Sequence, residues 1–296
     1  MGIQDSTDED TDDEHLNNSI ENLQKTHQNL LNFSEKLDES QDIPDEPVSL
    51  DRKKSVTSTL REAETQANKA MENGDRARGR QLLFLAEYYE DGMNAFEHGV
   101  HVINNLSAFS NANELDRFGT ALNKLDQADD AYRKFNSSIR DAIEKRKKLN
   151  ASGFRVEVRE DLREDIESSR ENYQKIQRFL KYFDLMIPGL KSMVHARNKL
   201  EKGDDFLYSG EYSRAESAYE NANRGFKNSK SKLSNALNRT NRTSNILKEL
   251  NCKVDYYINI SELSRKKALY ENIGNMRKAR EFNGKLLGKE MDCEAP

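Results

Sequence analysis

The scarcity of proline after residue 47 constrains the fold of this chain more than any other feature. Of four prolines in 296 residues, only Pro188 lies between residues 48 and 295. Proline lacks a backbone donor and breaks helices, so almost the whole chain is without the strongest helix breaker. Val, Ile and Thr are sparse and do not alternate with polar residues, so the pattern does not indicate strands. The sequence predicts an all-α protein.

Hydrophobic content limits how compact these helices can be. Hydrophobic residues make up 35% of the chain, Trp is absent and the mean hydropathy is −0.97. Typical globular domains contain about 45–50% apolar residues. A compact sphere of this length would need more apolar side chains. We therefore expect an elongated arrangement of helical hairpins and long coiled-coil-like helices with much solvated surface.

Composition and helix-breaking residues divide the chain into six predicted segments. The first residues are too acidic to pack, and Pro44 and Pro47 mark a linker. Pro188-Gly189 is expected to end a pair of long antiparallel helices. In order, the predicted segments are a disordered acidic N-terminus (1–14), an isolated amphipathic helix (15–40), a linker (41–49), an antiparallel long-helix bundle (50–187), a helical region with a basic surface (188–290) and a tail (291–296).

Apolar residues at three- and four-residue spacing predict the individual helices of the two large segments. In the bundle, the spacing predicts a helix over 50–73, one from about Arg76 and a long antiparallel pair joined at 150–153. In the following segment, one apolar stripe continues from Tyr212 past Leu247 and predicts a single long or kinked helix. Two closing helices are expected at 255–272 and 276–288.

Small and aromatic residues between Ala196 and Phe226 suit two short antiparallel helices that interlock. One glycine allows close approach of the backbones and another allows the turn, while two alanines keep the second helix slim. Aromatic rings fill the space between the helices. The residues that carry this pattern are Gly203, Phe206, Gly210, Tyr212, Ala215, Tyr219 and Ala222.

This stretch resembles a tetratricopeptide repeat, since those seven residues fall at the spacing of that family. Lys199 and Lys202 depart from it where apolar residues are usual, and Lys227 stands where a proline often ends the repeat. Gly74 and Gly274 mark partial copies, 136 residues before and 64 residues after Gly210, so no fixed period exists. The resemblance implies a protein-binding scaffold whose concave groove is lined by Arg197, Asp204 and Tyr208.

The same stretch also fits two other interpretations. The microtubule-interacting-and-trafficking domain has a similar Gly-Tyr-Ala-Tyr-Ala pattern, which would imply binding of short helical tails. A generic helical hairpin would also need small residues at these positions, without any particular partner.

Charge is distributed unevenly and suggests a second class of partner. Residues 1–50 carry a net charge of −12, whereas residues 221–289 carry +11. Such a basic surface could contact nucleic-acid phosphates, although it lacks interleaved exposed aromatic residues. Residues 1–14 could also fold back onto it and compete with an acidic partner. The predicted basic surface consists of Arg224, Lys227, Lys230, Lys232, Arg239 and Arg242.

Catalytic and cofactor motifs are absent from the sequence. It contains no P-loop, dinucleotide-binding loop, zinc-protease motif or nucleophile elbow. His98 and His101, with Glu97 beside them, have helical spacing, but both histidines fall away from the apolar face and no second such motif completes a metal site. We therefore predict no enzyme activity, no cofactor and no metal. A helical-bundle enzyme built around these histidines is a third option, after the two hypotheses given below.

The remaining signals concern location. No apolar run is long enough to span a bilayer, and the acidic N-terminus does not resemble a signal peptide. Cys252 and Cys293 are predicted to be separate reduced thiols of a cytoplasmic protein. The Met1-Gly2 start fits a myristoylation pattern only weakly. The leading hypothesis is a cytoplasmic, non-enzymatic helical scaffold that binds another protein, and the alternative is a nucleic-acid-associated helical protein.

Overall fold

A computed structural model describes residues 9–39, 50, 53–151, 181–239, 244–291 and 293 of the chain. These residues form eight α-helices and no strand, which confirms the predicted all-α class. The helices are α1 (Glu9–Glu39), α2 (Lys53–Asn73), α3 (Arg76–Glu114), α4 (Phe118–Ala151), α5 (Phe183–Tyr208), α6 (Tyr212–Arg239), α7 (Asn245–Asn272) and α8 (Met276–Leu287).

The chain divides into two compact units at positions that the sequence did not indicate. Unit 1 comprises Met1–Asn104 and Asp130–Arg178, and unit 2 comprises Asn105–Asp129 and Phe179–Pro296. Pro188, the predicted boundary, lies inside α5. It lies in the second turn of that helix, where its missing N–H removes only one backbone hydrogen bond. Most of the predicted second helix of the long pair falls at 152–180, outside the described residues.

Helix α1 packs into the core of unit 1, which corrects the expectation of an isolated helix. Its Leu16, Ile20 and Leu23 are buried in one cluster with apolar residues of α2 and α3. The buried Ser19 hydroxyl donates a hydrogen bond to the carbonyl of Ala63 at 2.8 Å. The apolar stripe that makes α1 amphipathic would be exposed to water if the helix stood alone. The helix also begins at Glu9, inside the segment predicted to be disordered.

Unit 2 is built on a tight hairpin of α5 and α6. A Cβ atom added at Gly203 would lie 2.5 Å from Cε1 of Tyr219, so only glycine allows this approach. Toward the other end of the hairpin, the buried Ser229 hydroxyl donates to the carbonyl of Gly189 at 2.8 Å. The predicted interlocking helices are therefore present, and they are longer than the sequence pattern suggested.

The single long helix predicted after Tyr212 is two helices in the structure. Helix α6 ends at Arg239, and α7 begins at Asn245 after Ser244, whose side chain accepts from the backbone N–H of Leu247. An N-terminal cap of this kind satisfies a backbone donor that has no partner within the helix. The polar residues that interrupt the apolar stripe thus mark the end of a helix, although Thr240 and Thr243 themselves lie outside the described residues.

Three helical hairpins in the chain share the same turn. Each has a glycine with positive φ (Gly74, Gly210 and Gly274), a conformation in which L side chains are strained. The residue after each glycine donates its N–H to the carbonyl five residues earlier, which satisfies the end of the preceding helix. These bonds run from Asp75 to Ala70, Glu211 to Phe206 and Asn275 to Tyr270, at 2.8–3.0 Å. A buried small residue follows each glycine by five positions, namely Gly79, Ala215 and Ala279.

The prediction of two separate reduced thiols is wrong, because Cys252 and Cys293 form a disulfide with their Cα atoms 5.6 Å apart. The turn at Gly274 reverses the chain direction, so α8 runs back along α7. The tail after α8 then reaches Cys252 in the early part of α7. Two cysteines separated by 41 residues in sequence are neighbours only because of this hairpin.

Candidate partner-binding surface

Arg197, the first predicted groove residue, is held by contacts within unit 2. Its guanidinium donates to the backbone carbonyl and side-chain oxygen of Asn113, both at 2.8 Å, and pairs with Asp116. It also lies over the rings of Phe118 and Tyr257, with centroid distances of 5.3 and 5.4 Å. Only 15% of its side chain is exposed. Arg197 therefore connects α5 with α7 and with the turn between α3 and α4.

Asp204, the second predicted groove residue, accepts a hydrogen bond from the Tyr219 hydroxyl at 2.7 Å. The residue is exposed, but its carboxyl is desolvated where it meets the tyrosine. This desolvation raises the pKa of Asp204, and the hydrogen bond partly opposes the increase. Desolvation and the neighbouring carboxylate also raise the pKa of the Tyr219 hydroxyl. The pair links α5 to α6 at the level of Gly203.

Tyr208, the third predicted groove residue, differs from the other two. It is the last residue of α5 and 96% exposed. The structure therefore does not bring the three side chains together on one open surface. Arg197 and Asp204 are committed to contacts within unit 2, and Tyr208 faces solvent.

The predicted basic surface is partly neutralised along α6. Arg224 pairs with Glu220 at 3.5 Å, and Lys230 pairs with Asp255 of α7. Lys232 donates to the Ser192 hydroxyl at 3.4 Å and Arg239 donates to the carbonyl of Lys181 at 3.1 Å. Lys227 is exposed, and Arg242 lies outside the described residues. Two residues of this surface, Lys230 and Lys232, therefore contact neighbouring helices.

The histidine pair of the third option lies beside a lysine. Lys53 donates to Glu97 at 2.6 Å, and this hydrogen bond is the main cause of the lowered pKa of Glu97. His101 lies 3.7 Å from the same carboxylate. Desolvation lowers the pKa of His98. Within the described residues, no group of three or more His, Cys, Asp or Glu side chains could hold a metal ion.

The α7–α8 hairpin contains a cationic and aromatic cluster that was not predicted from the sequence. The rings of Tyr270 and Phe282 stack with centroids 5.5 Å apart and an interplanar angle of 5°. Lys278 lies 5.0 Å from the Tyr270 ring centroid, whereas Lys285 and Lys266 lie 5.0 and 5.9 Å from that of Phe282. The three-residue spacing of Phe282 and Lys285 could have indicated the Lys285 contact, whereas the Lys278 and Lys266 contacts cross between the two helices.

Exposed large apolar side chains concentrate at the same hairpin. Among the described residues, six such side chains are exposed, and four of them lie between residues 273 and 291. These four are Ile273, Met276, Leu287 and Met291, and Leu287 is 81% exposed. Single exposed apolar residues are ordinary, but four of the six lie within and beside α8, so this hairpin is the candidate surface.

Helices in the described part of the chain lack the combination of length and apolar character needed to cross a membrane. Comparison with known proteins gives no assignment: no family model, no curated protein and no solved structure matches this chain.

Proposed function

We propose that this protein is a non-enzymatic α-helical scaffold that binds another protein through unit 2. The observation that carries the proposal is the concentration of exposed apolar side chains at the α7–α8 hairpin, beside exposed basic residues. Protein interfaces commonly combine apolar and aromatic side chains with arginine, within a charged and solvated rim. The repeated hairpin turn adds support, since stacked helical hairpins are a common framework for binding surfaces.

The tetratricopeptide resemblance supports a scaffold of helical hairpins, but it does not give the position of the binding site. Two of its three implied groove residues, Arg197 and Asp204, make contacts within unit 2. The proposed partner surface is therefore centred on α8 instead of the predicted groove. Tyr208 stays a candidate contact, because it is almost fully exposed.

Affinity purification of the full chain after chemical crosslinking in its native cells tests the proposal. We expect a protein partner whose crosslinks map to lysines of unit 2 and which is retained in about 0.3 M salt. Recovery of nucleic acid at low salt only, with no crosslinked protein, would contradict the proposal and favour the nucleic-acid alternative. This distinction follows from the steep salt dependence of phosphate contacts.

A further inference from the structure

The α5–α6 and α7–α8 hairpins have a common register that relates each residue of α8 to one of α6. The glycines of their turns lie 64 residues apart, so adding 64 to a residue number in α6 gives its equivalent in α8. Side-chain contacts follow the same register. Arg214 lies 5.0 Å from the ring centroid of Phe206, as its equivalent Lys278 does from that of Tyr270.

Side chains along one edge of helix α6 hold α7 through hydrogen bonds. The Asn223 side chain donates to the carbonyl of Ile258 and to the hydroxyl of Ser261, both at 3.0 Å. Near the turn, the Ser213 hydroxyl donates to the side chain of Asn272 at 3.3 Å. Leu287 and Arg277 occupy the equivalent positions of α8.

The corresponding edge of α8 is exposed. We define the α8 edge by Met276, Arg277, Arg280 and Leu287, which lie on one side of the helix at its 3.6-residue period. All four are exposed, Met276 to 49% and Leu287 to 81%. Helix α8 packs on α7 along a neighbouring strip that includes the buried Ala279. Among the described residues, no helix lies on the α8 edge as α7 lies on α6.

Charge indicates what kind of helix fits this edge. Arg280 has no acidic residue three or four positions away in α8. Glu281, four positions after Arg277, pairs with Lys285 at 2.7 Å, so the edge keeps an excess of positive charge. In a two-fold contact between two copies of the chain, the same basic edge would face itself, and like charges would repel. An acidic helix would instead complement it.

We propose that the α8 edge is the docking site for an acidic amphipathic helix of a partner protein. Apolar residues of that helix contact Leu287 and Met276, while its carboxylates pair with Arg277 and Arg280. The inference rests on the proposed scaffold function and specifies its partner chemistry.

A labelled synthetic peptide tests the chemistry directly. The probe is a helix of about 20 residues with leucines on one face and glutamates flanking them, and the control peptide has every glutamate replaced by lysine. We expect the full chain to bind the acidic peptide in fluorescence anisotropy and not the basic one. Leu287→Glu and Arg280→Glu should each weaken binding at least about tenfold.

Matched control variants separate the α8 edge from general charge effects. Leu115→Glu places the same new charge at another exposed leucine, and Lys199→Glu reverses an exposed charge on α5. Both should leave peptide affinity unchanged. The replaced side chains of all four variants are exposed, so circular dichroism should show the wild-type helical content in each.

Several results would overturn the docking site. One is equal affinity for both peptides, and another is equal loss of binding in the control variants. A third is binding of vesicles with about 30% phosphatidylserine that Leu287→Glu abolishes, without peptide binding, which would make the edge a membrane-binding surface. A dimer in sedimentation analysis that Leu287→Glu dissociates would assign the edge to a second copy.

The proposed function can fail separately from this inference. If a crosslinked cellular partner is retained by Leu287→Glu and Arg280→Glu, the scaffold function stands and the docking site is wrong. If the acidic peptide binds as expected but the full chain recovers no protein partner from cells, the chemistry of the edge stands and the scaffold function is contradicted.

Discussion

At Gly203, helix α5 approaches the Tyr219 ring closely enough to leave no space for a methyl group. The ring is fully buried, and its hydroxyl is fixed by Asp204. A fully buried ring whose hydroxyl is also hydrogen-bonded cannot move aside easily. The residues at this level therefore determine the distance between α5 and α6.

Gly203→Ala should lower the free energy of unfolding by about 1–3 kcal/mol, because the added Cβ forces the helices apart. The matched control is Gly284→Ala in exposed α8, where a Cβ meets nothing within 4 Å. That change should stabilise by about 0.5–1 kcal/mol through helix propensity alone. Urea denaturation followed by circular dichroism measures both, and a stabilising Gly203→Ala would contradict the close packing.

Tyr219→Phe should lower the free energy of unfolding by about 1 kcal/mol near neutral pH. The hydroxyl stabilises the carboxylate of Asp204, so it lowers a pKa that desolvation has raised above 3.8. Its contribution is therefore present above the pKa of Asp204 and is lost as pH falls through that value.

Denaturation at pH 7 and at about pH 4 checks the sign of this effect. The difference between Tyr219→Phe and wild type should shrink at the lower pH. Tyr208→Phe, which removes a hydroxyl from an exposed tyrosine, should have no effect at either pH. If the decrease in unfolding free energy caused by Tyr219→Phe does not change with pH, the hydroxyl does not interact with a titrating carboxylate.

At the level of helices, polar contacts add to apolar burial in holding unit 2 together. Helices α6 and α7 meet through Asn223, the Lys230–Asp255 pair and a stack of Phe226 on Tyr257 with centroids 5.2 Å apart. Directional bonds of this kind fix the register of one helix against another.

Asn223→Ala should loosen α7 from α6 and cost about 1–2 kcal/mol, since two hydrogen bonds to α7 are lost. Backbone amides in the middle of α7 should then exchange faster with deuterium. Asn221→Ala, at an exposed position of the same helix, provides the control. Unchanged exchange in α7 would mean that apolar contacts alone hold the two helices together.

At the scale of the whole molecule, a covalent link joins distant parts of the sequence. The disulfide between Cys252 and Cys293 ties the tail after α8 to α7. The cytoplasmic location predicted from reduced thiols loses that support and stays a prediction. The link also reduces the number of conformations that the unfolded chain can adopt.

Reduction of the disulfide should lower the free energy of unfolding by about 4 kcal/mol, as expected for a closed loop of this length. Thermal denaturation with and without a phosphine reductant measures the effect. The Cys252→Ser/Cys293→Ser double variant should have the melting temperature of the reduced protein, with or without the reductant. Identical melting of oxidised and reduced wild type would contradict a structural role for the bond.

Helical class was predictable from the sequence because it depends on local properties. Proline scarcity and three-four apolar spacing act within one or two turns, and the pattern of glycine, alanine and aromatic residues predicted the Gly210 turn and the hairpin around it. The recurrence of the turn was also visible in principle, since a polar residue follows each turn glycine and a basic residue lies four positions after it. The contacts of Arg197 were not visible, because Asn113 and Asp116 lie more than 80 residues away in sequence.

The sequence by itself thus determined the all-α class and the turns, which follow from backbone conformations available to each residue. Only the tertiary structure decided the two units, the burial of α1, the disulfide and the exposed edge of α8. Each of these depends on which amphipathic faces meet, and an apolar stripe does not specify its partner. Leu287 and Asn223 occupy equivalent places in their helices, yet the structure covers one and exposes the other.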